Sequence, residues 1–379
     1  MKAAQNDVAS MTPPLQRSLQ GVKRSLSLLL AILLLALAAC GDGAPSPSPS
    51  EALVVVAAAE ASGEAADGAA PELADPGAAE VLPTLEPVAL AEGERLRVVA
   101  STSLVADVVK RIAGDAIELT TLIPLGVDPH SYTATPEDLR LLNDAHLILI
   151  NGLGLEEALM PVLTSLDNPV PVVSVNAGIA PLVYREPLDA AEDAPVEGEE
   201  HGAGTDPHTW LSVTNVLVWV DNVVAMLSTL DTANVDNYFS NAGAYREELS
   251  ALDAELREQI DTLPAERRKL VTDHQEFGYF ARDYGFVVVG VVIPATSTLA
   301  SPSAQDLAAL QDVIKAEGVP AIFVGANISS SVVNQLAADL GVEVVPVHTS
   351  SLTEPDGPAP DYPSLMRNLV NTIVTTLAE

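Results

Sequence analysis

The chain of 379 residues is long enough for two ordinary domains, and its 18 basic against 52 acidic residues give a formal net charge of −34. An excess of that sign repels phosphate backbones, which excludes nucleic acid as a partner class. The single cysteine, Cys40, rules out an intrachain disulfide and a thiolate metal cluster, so any transition metal must be held by nitrogen and oxygen.

The N terminus sets Arg17, Lys23 and Arg24 before an apolar run from Leu26 to Ala39. At about 14 residues the run is short for a spanning helix and has the layout of a secretory signal. It ends in Leu37-Ala38-Ala39-Cys40-Gly41, which resembles the lipobox of bacterial lipoproteins. That resemblance implies a signal peptide over residues 1–40, lipidation of Cys40 and a membrane anchor for the mature chain. Residues 41–94 are rich in Ala, Pro, Gly, Ser and acid, contain the tract PSPSPS and lack aromatic residues. Such a segment cannot bury enough surface to offset its ordering entropy and reads as a disordered linker.

The globular part opens with a predicted strand at Leu96–Ala100, a helix at Ser103–Ala113 and a strand at Ile117–Ile123. The rhythm continues with a helix at Pro136–Asn143, a strand at Leu147–Asn151, a helix at Glu156–Leu166 and a strand at Val170–Ser174. Alternation of this kind predicts a parallel sheet covered by helices. After an acidic, exposed loop at 185–205 come two long helical patterns, Val213–Leu230 and Val235–Thr262; the second carries Leu249, Leu252, Leu256 and Ile260 on one stripe. The β-α-β rhythm then returns through Lys269–Asp273, Phe277–Tyr284, Val287–Ile293, Ser303–Glu317, Ala321–Val324, Val332–Leu340 and Val344–Val347, and a helix at Tyr362–Leu377 closes the chain. The expectation is an α/β protein of two lobes, each a parallel sheet flanked by helices. The first occupies residues 95–234, a spanning helix 235–263 and the second lobe 264–379, with a ligand site in the interlobe cleft.

Of six histidines, three share a context. His130 lies in Asp128-Pro129-His130, His208 in Asp206-Pro207-His208, and His274 follows Asp273 at the end of a strand. Each falls at a predicted connection, where strand ends meet a cleft. Neutral imidazoles suit zinc, and a neighbouring carboxylate can orient each ring. Taken singly, each histidine also reads as an ordinary loop residue. His146 reads as structural. The loop histidine His201, among many carboxylates, reads as part of a solvated loop.

Over Val98–Glu379 the chain resembles the zinc- and manganese-type solute-binding proteins of ABC importers. The runs that carry the likeness are GVDPHSYTATPEDLRLLNDAHLILINGLGLE from Gly126, DPHTWLS from Asp206, DHQEFGYFARDYG from Asp273 and the closing helix. The resemblance implies metal ligands at His130, His208 and His274, an ABC permease as partner and a monomeric carrier. A histidine rather than a carboxylate at the third position implies zinc as cargo, in line with manganese's preference for oxygen donors. Manganese or iron stands as the alternative cargo. Two positions depart from the family pattern: Ser350 stands where an aspartate ligand is common, and Gly325 where many relatives carry a glutamate. The fourth ligand is therefore expected from Glu354, Asp356 or water, and less readily from His348. A surface adhesin of the same fold is a second class. A zinc hydrolase is a third, for which Glu276 is the one candidate base, because no H-E-x-x-H pair is present.

Overall fold

The computed structural model describes residues 79–184, 204–328 and 331–378. Cys40, the signal segment and His201 lie outside the described residues. The first lobe comprises β1 (Leu96–Ala100), α1 (Ser103–Ala113), β2 (Ile117–Thr121), α2 (Pro136–Asp144), β3 (Leu147–Ile150), α3 (Met160–Leu163) and β4 (Val172–Ser174), in a parallel sheet of order β2-β1-β3-β4. The sequence of β3, Leu-Ile-Leu-Ile, is buried throughout, as a strand covered on both faces must be. Local chemistry starts the helices. The Thr102 hydroxyl accepts from Val105 N at 3.2 Å, and Thr135 with Asp138 forms a capping box ahead of Pro136.

A short antiparallel pair, β5 (Val183–Tyr184) with β6 (Gly204–Thr205), brackets the acidic loop. Next come α4 (Val213–Leu230) and α5 (Val235–Asp261). The second lobe holds β7 (Lys269–His274), α6 (Gly278–Tyr284), β8 (Val287–Ile293), α7 (Ala304–Glu317), β9 (Ala321–Gly325), α8 (Ser331–Leu340) and β10 (Glu343–Val347), again parallel, in the order β10-β9-β7-β8. The final helix, α9 (Tyr362–Ala378), returns to the first lobe, where Tyr362 N donates to Asp107 Oδ2 at 3.1 Å.

At 1.5 Å per residue α5 is about 40 Å long and runs along both lobes. Asn241 Nδ2 donates to Ile112 O on α1 at 2.9 Å, and Arg257 Nη1 donates to Asp283 O on α6 at 2.7 Å. Leu249, Leu252, Leu256 and Ile260 are buried in one core that also takes in α1, α4, α6 and α9. A core continuous from lobe to lobe resists bending, since each buried aliphatic side chain contributes roughly 1.5–3 kcal/mol.

Two sequence expectations are corrected. Residues 79–94, assigned to the linker on composition, lie against the first lobe. Leu82, Leu85, Val88 and Leu90 pack on its core, and Val88 N donates to Leu230 O at 3.0 Å. Four spaced apolar residues suffice to dock an otherwise polar strap. The expected helix at Glu156–Leu166 shrinks to the four residues of α3. Glu156 is instead turned inward, where its carboxylate accepts from Ser101 Oγ at 2.7 Å, Asn151 N at 2.7 Å and Gly152 N at 3.0 Å. A carboxylate gathering the N–H groups of a tight turn outweighs the helical pattern of the apolar residues around it.

Candidate metal centre

Three segments deliver the three histidines to one point. His130 stands on the connection after β2, His208 on the segment between β6 and a single 3-10 turn at Thr209–Leu211, and His274 is the last residue of β7. All three are buried, exposing 2%, 1% and 2% of their surfaces. His208 Nε2 lies 3.2 Å from His130 Nε2 and 3.2 Å from His274 Nε2. Tetrahedral zinc at ~2.0–2.1 Å from each nitrogen would hold its donors about 3.3 Å apart, so the spacing fits a shared cation.

Tautomer and direction are set from behind. His208 Nδ1 lies 2.9 Å from Asp206 Oδ1, and His274 Nδ1 lies 2.8 Å from Asp273 Oδ1. A carboxylate accepts, so the Nδ1 atoms carry the hydrogens and the Nε2 lone pairs point inward. Asp206 Oδ1 also accepts from His208 N at 2.9 Å, and its Oδ2 accepts from Tyr184 Oη at 3.2 Å. Asp273 Oδ1 accepts from His274 N at 2.8 Å and Oδ2 from Gly325 N at 2.9 Å. Gly325, where a glutamate was expected from the resemblance, thus supports His274 through its backbone. Gly278 is required by close approach, since a Cβ there would lie 2.4 Å from Asp206 Oδ2.

His130 is held differently. Its backbone N donates to Asp128 Oδ1 at 3.1 Å, while its buried ring Nδ1 has no partner. Asp128 Oδ2 accepts from Thr298 Oγ1 at 2.6 Å, across the cleft on the connection after β8. Three nitrogens with converging lone pairs repel one another unless a cation or a proton lies between them. Burial first, then the neighbouring imidazoles, drive His130 well below the ordinary histidine range, and burial does the same to His208. For His274 burial acts downward, but Glu276 and then Asp273 outweigh it and raise the pKa to about 9. Burial pushes Asp206 up to about 7, and it raises Glu276 as well.

The other expected participants stand apart. Glu354 and Asp356, expected as candidate fourth donors, are exposed. Glu354 and His348 line a separate cavity of about 260 Å³ with Leu125 and Leu352. Ser350 Oγ is occupied by the amide of Asn327, with contacts of 3.0 and 3.1 Å. His146 lies on the edge of β1, where its Nδ1 accepts from Arg97 N at 3.0 Å. Glu276, the candidate base of the hydrolase reading, is fully buried, and one of its carboxylate oxygens groups with ligand atoms of Asp273 and His274. The signal that could have found it is its place two residues after His274, ahead of an apolar aromatic helix.

Comparison with known proteins gives the same family throughout. A profile described as "Zinc-uptake complex component A periplasmic" (ZnuA) matches residues 98–376. The manganese-binding lipoprotein MntA of Halalkalibacterium halodurans is 31% identical over 289 residues, covering 76% of this chain and 90% of that protein. The iron-binding protein YfeA of Yersinia pestis is 34% identical over 281 residues, with coverages of 74% and 86%. Among solved structures, the periplasmic zinc-binding protein TroA of Treponema pallidum superposes with a TM-score of 0.65 at 32% identity, covering 76% of this chain and 100% of that one.

Proposed function

The chain belongs to the ZnuA-type family of metal solute-binding proteins of ABC importers, and on that premise we propose that it captures zinc outside the cytoplasmic membrane and hands it to an ABC permease. The observation that carries the choice of zinc is the set of three buried Nε2 atoms, each 3.2 Å from its neighbour in the row. Three imidazoles make a nitrogen-rich shell, which suits zinc better than manganese, a metal that prefers more oxygen. Relatives named for manganese and for iron keep those metals as the second reading, favoured if oxygen donors outnumber the nitrogens in the shell. The lipidated Cys40 would hold the carrier at the membrane, as the lipoprotein relatives suggest, and residues from Gly41 to the docked strap would give it reach.

In this reading His130 and His208 come from the first lobe and His274 from the second, so the cargo is bound by both. Capture proceeds as the ligands surrender protons, with Asp206 and Asp273 keeping the two rings aimed. Closure is a local rearrangement of the connections, because α5 and the shared core couple the lobes stiffly. The test is a competition titration of zinc against manganese on the metal-stripped protein, with bound metal counted per chain. One zinc per chain, retained against an excess of manganese, is expected; preferential retention of manganese would reverse the choice of cargo.

A further inference from the structure

We infer that Glu276 is the fourth metal ligand, a carboxylate supplied two residues after His274 in place of the donor missing at Ser350. The inference rests on the three-histidine reading and adds one residue to it. Glu276 exposes 0% of its surface, and neither carboxylate oxygen has a hydrogen-bond partner. A carboxylate oxygen of Glu276, one of Asp273 and a ring nitrogen of His274 lie within 4.8 Å of one another. A buried carboxylate without a partner costs several kcal/mol, and a divalent cation is the group that repays such a cost in full. The buried Thr349 hydroxyl faces Glu276 without the geometry of a full hydrogen bond, so it leaves the carboxylate available to a cation.

The competing oxygens near the histidines are already committed. Asp206 and Asp273 have both oxygens engaged: Asp206 holds the His208 ring and the Tyr184 hydroxyl, and Asp273 holds the His274 ring and the Gly325 amide. Asp128 accepts from His130 N and Thr298 Oγ1, and Ser350 is held by Asn327. Glu354 and Asp356 are exposed. Among the described carboxylates of this region, Glu276 alone is both buried and unengaged. Its backbone is fixed by a tight turn, Glu276 N donating to His274 O at 2.9 Å, and His274 is the residue shared by the three-histidine group and the group of Asp273, His274 and Glu276. The donor set is then three nitrogens and one anionic oxygen, a complete tetrahedral shell that leaves no position for a substrate and suits a carrier.

The full-length protein in detergent, stripped and reloaded, tests this with Co²⁺ as the visible-spectrum probe and zinc competition as the affinity measure. Glu276→Gln keeps size and removes charge; the expected result is one metal still bound, about 30-fold or more weaker, with the Co²⁺ bands shifted by the exchange of a donor. Glu276→Asp, which retains the carboxylate on a shorter arm, should fall between the two. An unchanged Co²⁺ spectrum in Glu276→Gln overturns the assignment even if affinity drops, because a charge acting from outside the shell would lower affinity without moving the bands. The circular dichroism of both variants checks folding. Retention of one tightly bound metal by His208→Ala would instead overturn the three-histidine reading, so the two failures are distinct.

Discussion

The same tripeptide occurs twice beside the candidate metal centre, and the two copies are held in different ways. In Asp206-Pro207-His208 one carboxylate oxygen takes both the backbone N–H and the ring Nδ1 of its histidine, each at 2.9 Å. The segment is pinned further by Asn151 Nδ2 to Pro207 O at 2.9 Å and by the indole of Trp210 to Thr349 O at 2.7 Å. In Asp128-Pro129-His130 the aspartate takes the backbone N–H but leaves the ring free, and spends its other oxygen on Thr298 in the opposite lobe. In the proposed site one copy is preset, and the other is tied to the relation between the lobes, which is where a carrier that must release its cargo can tolerate slack.

The sharpest way to break this comparison is to remove the proposed ligands themselves. His208→Ala, which deletes the nitrogen shared by both close pairs, should cost at least about 100-fold in zinc affinity, more than any orienting substitution. Asp206→Asn should cost about 10–100-fold, since the amide removes the negative charge behind the His208 ring and its Nδ2 cannot accept from Tyr184 Oη, whereas Asp128→Asn should cost only several-fold. Equal losses in a competition titration would erase the distinction between the copies. The pH dependence comes next. His274 carries a proton up to about pH 9, which the metal must displace, so apparent zinc affinity should rise about tenfold per pH unit from neutrality and level off near 9. A flat profile between pH 7 and 9, read by isothermal titration, would show that His274 is already neutral at pH 7 and that Glu276 and Asp273 do not hold a proton on it. Gly278→Ala should lower stability by about 1–3 kcal/mol, because its Cβ meets Asp206 Oδ2 and Tyr184 Oη, and zinc loading should recover part of the loss in a thermal melt. The smallest effect is expected of Thr298→Ala. It should change equilibrium affinity by less than about threefold and speed zinc release in a chelator chase, because it frees Asp128 from the second lobe while leaving all ligands in place.

What the sequence determined by itself is the periodic part of the molecule. Alternating strand and helix patterns point to two parallel sheets, and the stripe Leu249, Leu252, Leu256, Ile260 to a buried face on α5. These are local regularities, and burial follows directly from them. The candidate histidines were legible as well, through their motifs and order along the chain. Tertiary structure decided what depends on residues remote in sequence. It brought the Nε2 atoms of His130 and His274 each to 3.2 Å from that of His208, gave one Asp-Pro-His copy a ring contact and denied it to the other, and docked residues 79–94 on the first lobe. It also left Glu354 and Asp356 exposed and Glu276 buried without a partner, a contrast invisible to composition. The reason is physical: a side chain's partners and desolvation are set by whatever the fold packs against it, and no spacing along the chain encodes that packing.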